Sequence, residues 1–144
     1  MSRATKIVSI NASPEKVMEY ISNVSNHPAF IPPLKSIENI GGDVTKPGTV
    51  WDWTFVMAGL EFKGKSETVE YQPGKVFKYK TMGGIVSTFT YSVEAEGSAS
   101  RLTMDVEYEV PSSLLGKANL AAVEKVNADS AEAAEENIKT ILEG

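Results

Sequence analysis

Through the middle of the chain, apolar and polar side chains alternate with a period of two, the spacing of strands with one buried face. In residues 50–59, "VWDWTFVMAG", the alternation puts Trp51, Trp53, Phe55 and Met57 on one side, with Asp52, Thr54 and Val56 between them. In "KVFKYKT" it sets Phe77 and Tyr79 against Lys78 and Lys80, and in "STFTYSV" it aligns Ser87, Phe89, Tyr91 and Val93. "RLTMDVEYEV" carries Leu102, Met104, Val106, Tyr108 and Val110 opposite Thr103, Asp105, Glu107 and Glu109. One strand departs. In "LEFKGKSET" the outward set is Glu61, Lys63, Lys65 and Glu67, which leaves Phe62, Gly64, Ser66 and Thr68 inward, a mostly small face.

Gly- and Pro-containing breaks punctuate these runs at "GGDVTKPG", Ala58-Gly59, "QPGK", "MGG" and "EGS", as consecutive hairpins require. They predict strands over 34–41, 48–58, 60–71, 75–82, 85–96 and 99–110, and residues 3–11 add a seventh. After the first strand, "NASPEKVMEYI" starts a short amphipathic helix, with Ser13 as N-cap, Pro14 at the first helical position and Glu15 near the positive end. The prolines of "NVSNHPAFIPPL" permit only a second, broken helix. From Pro111 to Leu142 the period changes to about 3.6, with Leu115, Ala118, Ala122, Val126, Ala133, Ile138 and Ile141 in the expected apolar stripe. Such a rod would be on the order of 45 Å long. It can cross a whole sheet and cover its apolar face. The expected architecture is α+β: a curved seven-stranded antiparallel sheet around a long C-terminal helix, with two short helices after the first strand.

With 144 residues, the chain fits a single domain spanning 1–144. It has no cysteine, which excludes disulfides, thiolate metal sites and cysteine nucleophiles. No signal-peptide core and no run of about 18 apolar residues occurs, so a cytoplasmic protein without integral membrane association is expected. The net charge of −5, with Lys and Arg interspersed among Glu, lacks the footprint of a phosphate-backbone binder, and no nucleic-acid partner is expected.

Catalytic signals are sparse. His27 is the only histidine and has no nucleophile in context, so a structural or surface role is expected. No Gly-rich phosphate loop or paired-histidine motif appears, and neither a cofactor nor a metal is expected. Alternation sends Asp52 outward. Glu70 shares the parity of Thr68 and would approach the interior unless a bulge near Val69 reverses it. Ser66, Thr68, Tyr79, Ser87 and Tyr91 supply scattered hydroxyls among the apolar residues. Two tryptophans opposite small residues either pack a sealed core, large against small, or line a space for a mostly apolar molecule.

The opening "VSINASPEKVMEYISNVSNHPAFIP", the "YQPGKVFKY" turn within the meander and the terminal helix ending "NIKTILEG" together resemble the START-like superfamily, the helix-grip or polyketide cyclase/dehydrase and lipid-transport type. The resemblance spans essentially the whole chain. It implies a cavity between sheet and terminal helix that takes a hydrophobic small molecule such as a lipid, isoprenoid or aromatic polyketide. The lining expected is the inward set: Trp51, Trp53, Phe55, Met57, Phe62, Ser66, Thr68, Phe77, Tyr79, Ser87, Phe89, Tyr91, Met104 and Tyr108 from the strands, with Ala118 and Ala122 from the helix. Family members also include polyketide cyclases, which would use Tyr79, Tyr91, Ser66 and Thr68 as hydrogen-bonding groups, and co-chaperones, which would need an exposed apolar patch. In the hormone-receptor branch a loop gates the cavity; "MAGLEF" at 57–62 occupies that place, where a tight hairpin at Gly59 and Leu60 is the plainer reading.

Overall fold

The computed structural model describes residues 1–57, 59–116 and 119–144. Antiparallel pairing builds a single sheet from β1 (Ser2–Ile10), β2 (Leu34–Glu38), β3 (Val50–Met57), β4 (Leu60–Gln72), β5 (Val76–Gly83), β6 (Ser87–Glu96) and β7 (Ala99–Tyr108). The spatial order is β1-β7-β6-β5-β4-β3-β2. Strands β2 to β7 therefore form a simple meander. The first strand closes on the last, with Ser2 opposite Tyr108 and Ile10 opposite Ser100.

Between β1 and β2 the chain makes α1 (Pro14–Ser22), a 3₁₀ turn (Val24–Asn26) and α2 (His27–Phe30). Ser13 Oγ accepts the Lys16 N–H at 3.2 Å, capping α1, and Val17, Met18 and Ile21 turn its apolar face into the core. Pro32 and Pro33 then stop the helical path before β2. The single terminal rod expected from the sequence is instead two helices, α3 (Ser112–Leu115) and α4 (Leu120–Glu143). Asn119 restarts the helix, its Oδ1 accepting the Ala122 N–H at 2.8 Å. The restart resets the helical phase. Val123, Ala131, Ala134, Glu135 and Ile138 are buried on α4, whereas Leu115, Ala122, Val126 and Ile141, all assigned inward by the apolar stripe, are exposed.

The hairpin between β3 and β4 is tight, with Met57 directly opposite Leu60. A two-residue connection leaves no flap to gate anything, and Gly59 takes φ +77°, the left-handed value such a turn needs. Further along β4 the register shifts between Thr68 and Glu70, the bulge that reverses parity. Glu70 consequently lies exposed on the surface.

Gly64 is where the sheet depends on the absence of a side chain. A Cβ there would stand 2.1 Å from the Met82 carbonyl oxygen and 2.6 Å from the Trp53 ring. Trp53, opposite Gly64 across β3 and β4, occupies that space. Gly64→Ala should therefore lower unfolding free energy by roughly 3 kcal/mol, measured by urea denaturation; a loss below about 0.5 kcal/mol would show that the wall yields freely there.

Candidate functional site

The inner face of the sheet carries a continuous group of rings. Trp51 and Phe77 stack at 6.5 Å and 22°, and Tyr79 and Phe89 stack at 5.0 Å and 10°. Trp51 meets Tyr79 edge-on at 5.4 Å, and His27 from α2 lies 5.6 Å from Tyr79. Pairs of this geometry add to the burial of the rings themselves. Opposite them α4 presents mostly small residues, and the mismatch leaves a cavity of about 100 Å³ between sheet and helix.

The cavity wall combines strands and helices. Trp51, Trp53, Phe55, Met57, Ser66, Tyr79, Ser87, Phe89, Met104 and Tyr108 line it, as does His27. From α4 come Val123, Asn127, Ser130, Ala131 and Ala134. Partly exposed Ile85, Val110 and Pro111 stand at its rim. Beyond that rim lies a surface groove of about 590 Å³ that shares Tyr108, Glu109, Val110 and Pro111 with the cavity. Cavity and groove thus meet at these four residues.

Other members of the inward set lie on the correct face but away from the space. Phe77 and Tyr91 are fully buried among the rings, and Phe62 is buried outside the cavity lining. Thr68 Oγ1 donates to the Val44 carbonyl at 2.6 Å, tying the β2–β3 loop to the sheet. Ala122 faces solvent, because the phase reset turns it away from the sheet. Ala118 falls outside the described residues. Thr81 lines the cavity although its hydroxyl gave no apolar signal, and its parity with Phe77 and Tyr79 was the clue available.

The titratable groups of the interior are held neutral or close to it. His27, 1% exposed, contacts the Ile21 carbonyl through Nε2 at 2.7 Å; a carbonyl only accepts, so Nε2 bears the proton and Nδ1 the lone pair. Burial pushes the imidazole down to about 4, against the opposing effect of that hydrogen bond. This corrects the surface alternative for His27. Burial raises both the Tyr79 and Tyr91 phenols, whose oxygens lie 3.5 Å apart, so they are neutral donors and not phenolates at pH 7. Glu135, 3% exposed on α4, accepts the Met104 N–H at 3.2 Å. Burial pushes its carboxyl up to about 7, the Met104 bond opposes this, Glu136 adds to it and Lys6 of β1 opposes it. Asp52 sits on the outer face, bound by Lys65 Nζ at 2.6 Å and Asn39 Nδ2 at 2.7 Å, and these partners hold its carboxyl below the usual range.

Among the described residues, no group of three or more His, Cys, Asp or Glu is arranged to hold a metal ion, and no helix is long and apolar enough to cross a membrane.

Comparison with known proteins agrees with this geometry. The family model described as polyketide cyclase / dehydrase and lipid transport matches residues 1–143. Among solved structures, the chain superposes on the Thermus thermophilus protein TTHA0849 with a TM-score of 0.78, 18% identity and coverage of 96% of this chain and 94% of that one. A START superfamily protein from Mycobacterium smegmatis gives 0.76, 15% identity and coverage of 99% and 98%. The di-domain ARO/CYC StfQ of the steffimycin biosynthetic pathway gives 0.77 and 13% identity, covering 99% of this chain and 50% of that one. At these identities the likeness establishes the fold. No curated protein matches the chain in sequence.

Buried Glu135 and His27 give opposite pH slopes. Glu135 stays protonated in the fold up to about 7 but ionises near 4.5 when unfolded, so its stability contribution is full below 4.5 and lost as pH rises through 7. For His27 the contribution is full above 6.5 and lost as pH falls through 4. Between 4.5 and 6.5 the two slopes oppose. Glu135→Gln should remove one of them, gaining about 3 kcal/mol over the parent between pH 4.5 and about pH 8. Denaturant midpoints of both proteins at those pH values check this; a difference that does not grow with pH overturns the assignment.

Proposed function

The chain belongs to the polyketide cyclase / dehydrase and lipid transport family, and on that premise we propose that it encloses and carries a hydrophobic small molecule of lipid, isoprenoid or aromatic polyketide type in the cavity between the sheet and α4. The observation that carries the reading is the aromatic wall formed by Trp51, Trp53, Tyr79 and Phe89 opposite the small residues Ser130, Ala131 and Ala134. Side chains able to close that gap are missing from α4, so the interior keeps space that a packed core would fill.

At about 100 Å³ the space is smaller than the roughly 300–1,000 Å³ of common ligand sites. It is smaller too than the apolar void of about 150 Å³ known to take benzene, so even a single ring needs the lining to yield. A larger ligand reaches full enclosure by displacing the shared wall at Val110 and Pro111 toward the outer groove. Exposed Met1, Val86, Leu115 and Leu120 line that groove together with polar Ser2, Glu109, Ser112 and Glu124.

Binding without turnover is the reading favoured by the acid–base groups. The cavity histidine is a weak base, both tyrosines hold their protons, and the carboxyl pushed up to about 7 belongs to Glu135, outside the lining. A general base near neutrality within reach of the ligand is what a cyclase or dehydratase would add.

Intrinsic fluorescence tests the reading directly, because Trp51 and Trp53 both line the cavity. Titration with fatty acids, sterol-like molecules and flat aromatic compounds should give saturable quenching or a spectral shift with at least one class. Ala131→Leu should weaken that binding by about ten-fold or more while the fold is retained. Emission that no compound alters would mean a sealed core and end the proposal.

A further inference from the structure

The cavity wall is not uniformly apolar: a line of hydroxyls runs across it. Ser66 lies opposite Thr81, Thr81 opposite Ser87, and Ser87 opposite Tyr108, so one transverse row crosses β4, β5, β6 and β7. All four residues are buried and all four line the cavity. The row begins beside Trp51, which is the cross-strand partner of Ser66 on β3.

Proton accounting separates the members of this row. Thr81 Oγ1 lies 2.8 Å from the Ile85 carbonyl, which can only accept, so the single Thr81 proton goes there. The proton in the 2.5 Å contact between Thr81 and Ser87 therefore comes from Ser87. Ser66, 2% exposed, lines the cavity, and neither of these two bonds claims its proton. One step along the same face, Trp53 is 5% exposed and its Nε1–H is buried without a partner. Buried donors are ordinarily paired, and an unpaired Trp53 Nε1–H on the same face as the Ser66 hydroxyl calls for an acceptor from outside the protein.

The charge of that acceptor is constrained too. Among the described residues, neither Lys nor Arg lines the cavity. The one acidic lining residue is Glu109 at the rim, and the net charge is −5. A carboxylate or phosphate brought here would lose its water with no cation to replace it.

We propose that the cavity selects a ligand with an uncharged oxygen acceptor, a carbonyl or ether, on an apolar body, and that the Ser66 hydroxyl, backed by the Trp53 indole N–H, reads that oxygen. This rests on the cavity being a ligand site. It names Ser66 and Trp53 as the specificity-determining pair. A hydrocarbon of the same shape leaves both donors unpaired, and a site built to donate discriminates against such an analogue.

Three compounds of nearly one shape separate the possibilities: acetophenone, α-methylstyrene, which has a CH₂ in place of the ketone oxygen, and benzoate. Calorimetric titration of the parent protein should show acetophenone bound about ten-fold more tightly than α-methylstyrene, with benzoate weakest. In Ser66→Ala the ketone preference should fall to within about two-fold with α-methylstyrene affinity kept, and Trp53→Phe should reduce it independently. Equal affinities for ketone and alkene in the parent, or a preference that survives Ser66→Ala, would overturn the proposal while leaving the cavity a binding site. Tightest binding of benzoate would overturn the neutral-acceptor argument. Failure of all three to bind would overturn this proposal, and the ligand-site reading falls with it only if no compound alters the tryptophan emission either.

Discussion

The burial of the aromatic wall governs the rest of the molecule. Trp51, Phe77, Tyr79 and Tyr91 share one face of a meander whose other face is charged, and they must be covered. Large rings of this kind contribute most of what a small core gains from leaving water. Every other element serves that cover. α1 supplies Val17, Met18 and Ile21, α2 supplies Phe30 and His27, and α4 supplies Val123, Ala134 and Ile138. The rings hold their places because the backbone gives way at Gly64, where Trp53 needs the volume of a Cβ. α4 covers the wall with side chains too short to reach it everywhere, and the cavity is the remainder.

Much of this architecture was readable from alternation, since an antiparallel sheet with one wet face writes its orientation into every second residue. The runs around Trp51, Tyr79 and Met104 could face only one way. Parity reports the face but not the depth along a strand. Phe77 and Tyr91 share the face of Tyr79, yet they pack at the closed end with α1 and α2, while Thr81 and Ser87 reach the space. The helix was harder to read because alanine carries little hydrophobic contrast and the restart at Leu120 resets the rotation, so Leu115 and Val126 point outward and Val123 points in. At 57–62 the plainer reading, a tight hairpin, agrees with the direct pairing of Met57 with Leu60.

The interior is chemically quiet by construction. His27 is neutral because burial opposes its charge, and the tyrosines keep their protons for the same reason. Glu135 is buried, but the ion pairs lie on the outside, where Arg3 grips Asp105 with two bonds of 2.9 Å and Lys65 holds Asp52. Such exposed pairs add little stability individually. They keep charge off the wall, which suits the family's association with hydrophobic ligands and leaves hydroxyls as the main side-chain polarity that a guest would meet.

The joining of β1 to β7 has a temporal side. The meander from β2 to β7 consists of neighbours in sequence, but Arg3 and Asp105 are 102 positions apart. The end of α4 is fastened to the end of β1 by the Asn11 N–H on Glu143 at 2.7 Å and by Lys139 on the Ser9 carbonyl at 2.7 Å. Contacts between distant parts of a chain are entropically expensive to bring together and tend to form late. During synthesis the aromatic face is therefore complete before its lid has left the ribosome, and the nascent chain passes through a stage in which the wall is open along its whole length. That interval is when aggregation threatens most, because the rings that the finished fold covers then face solvent.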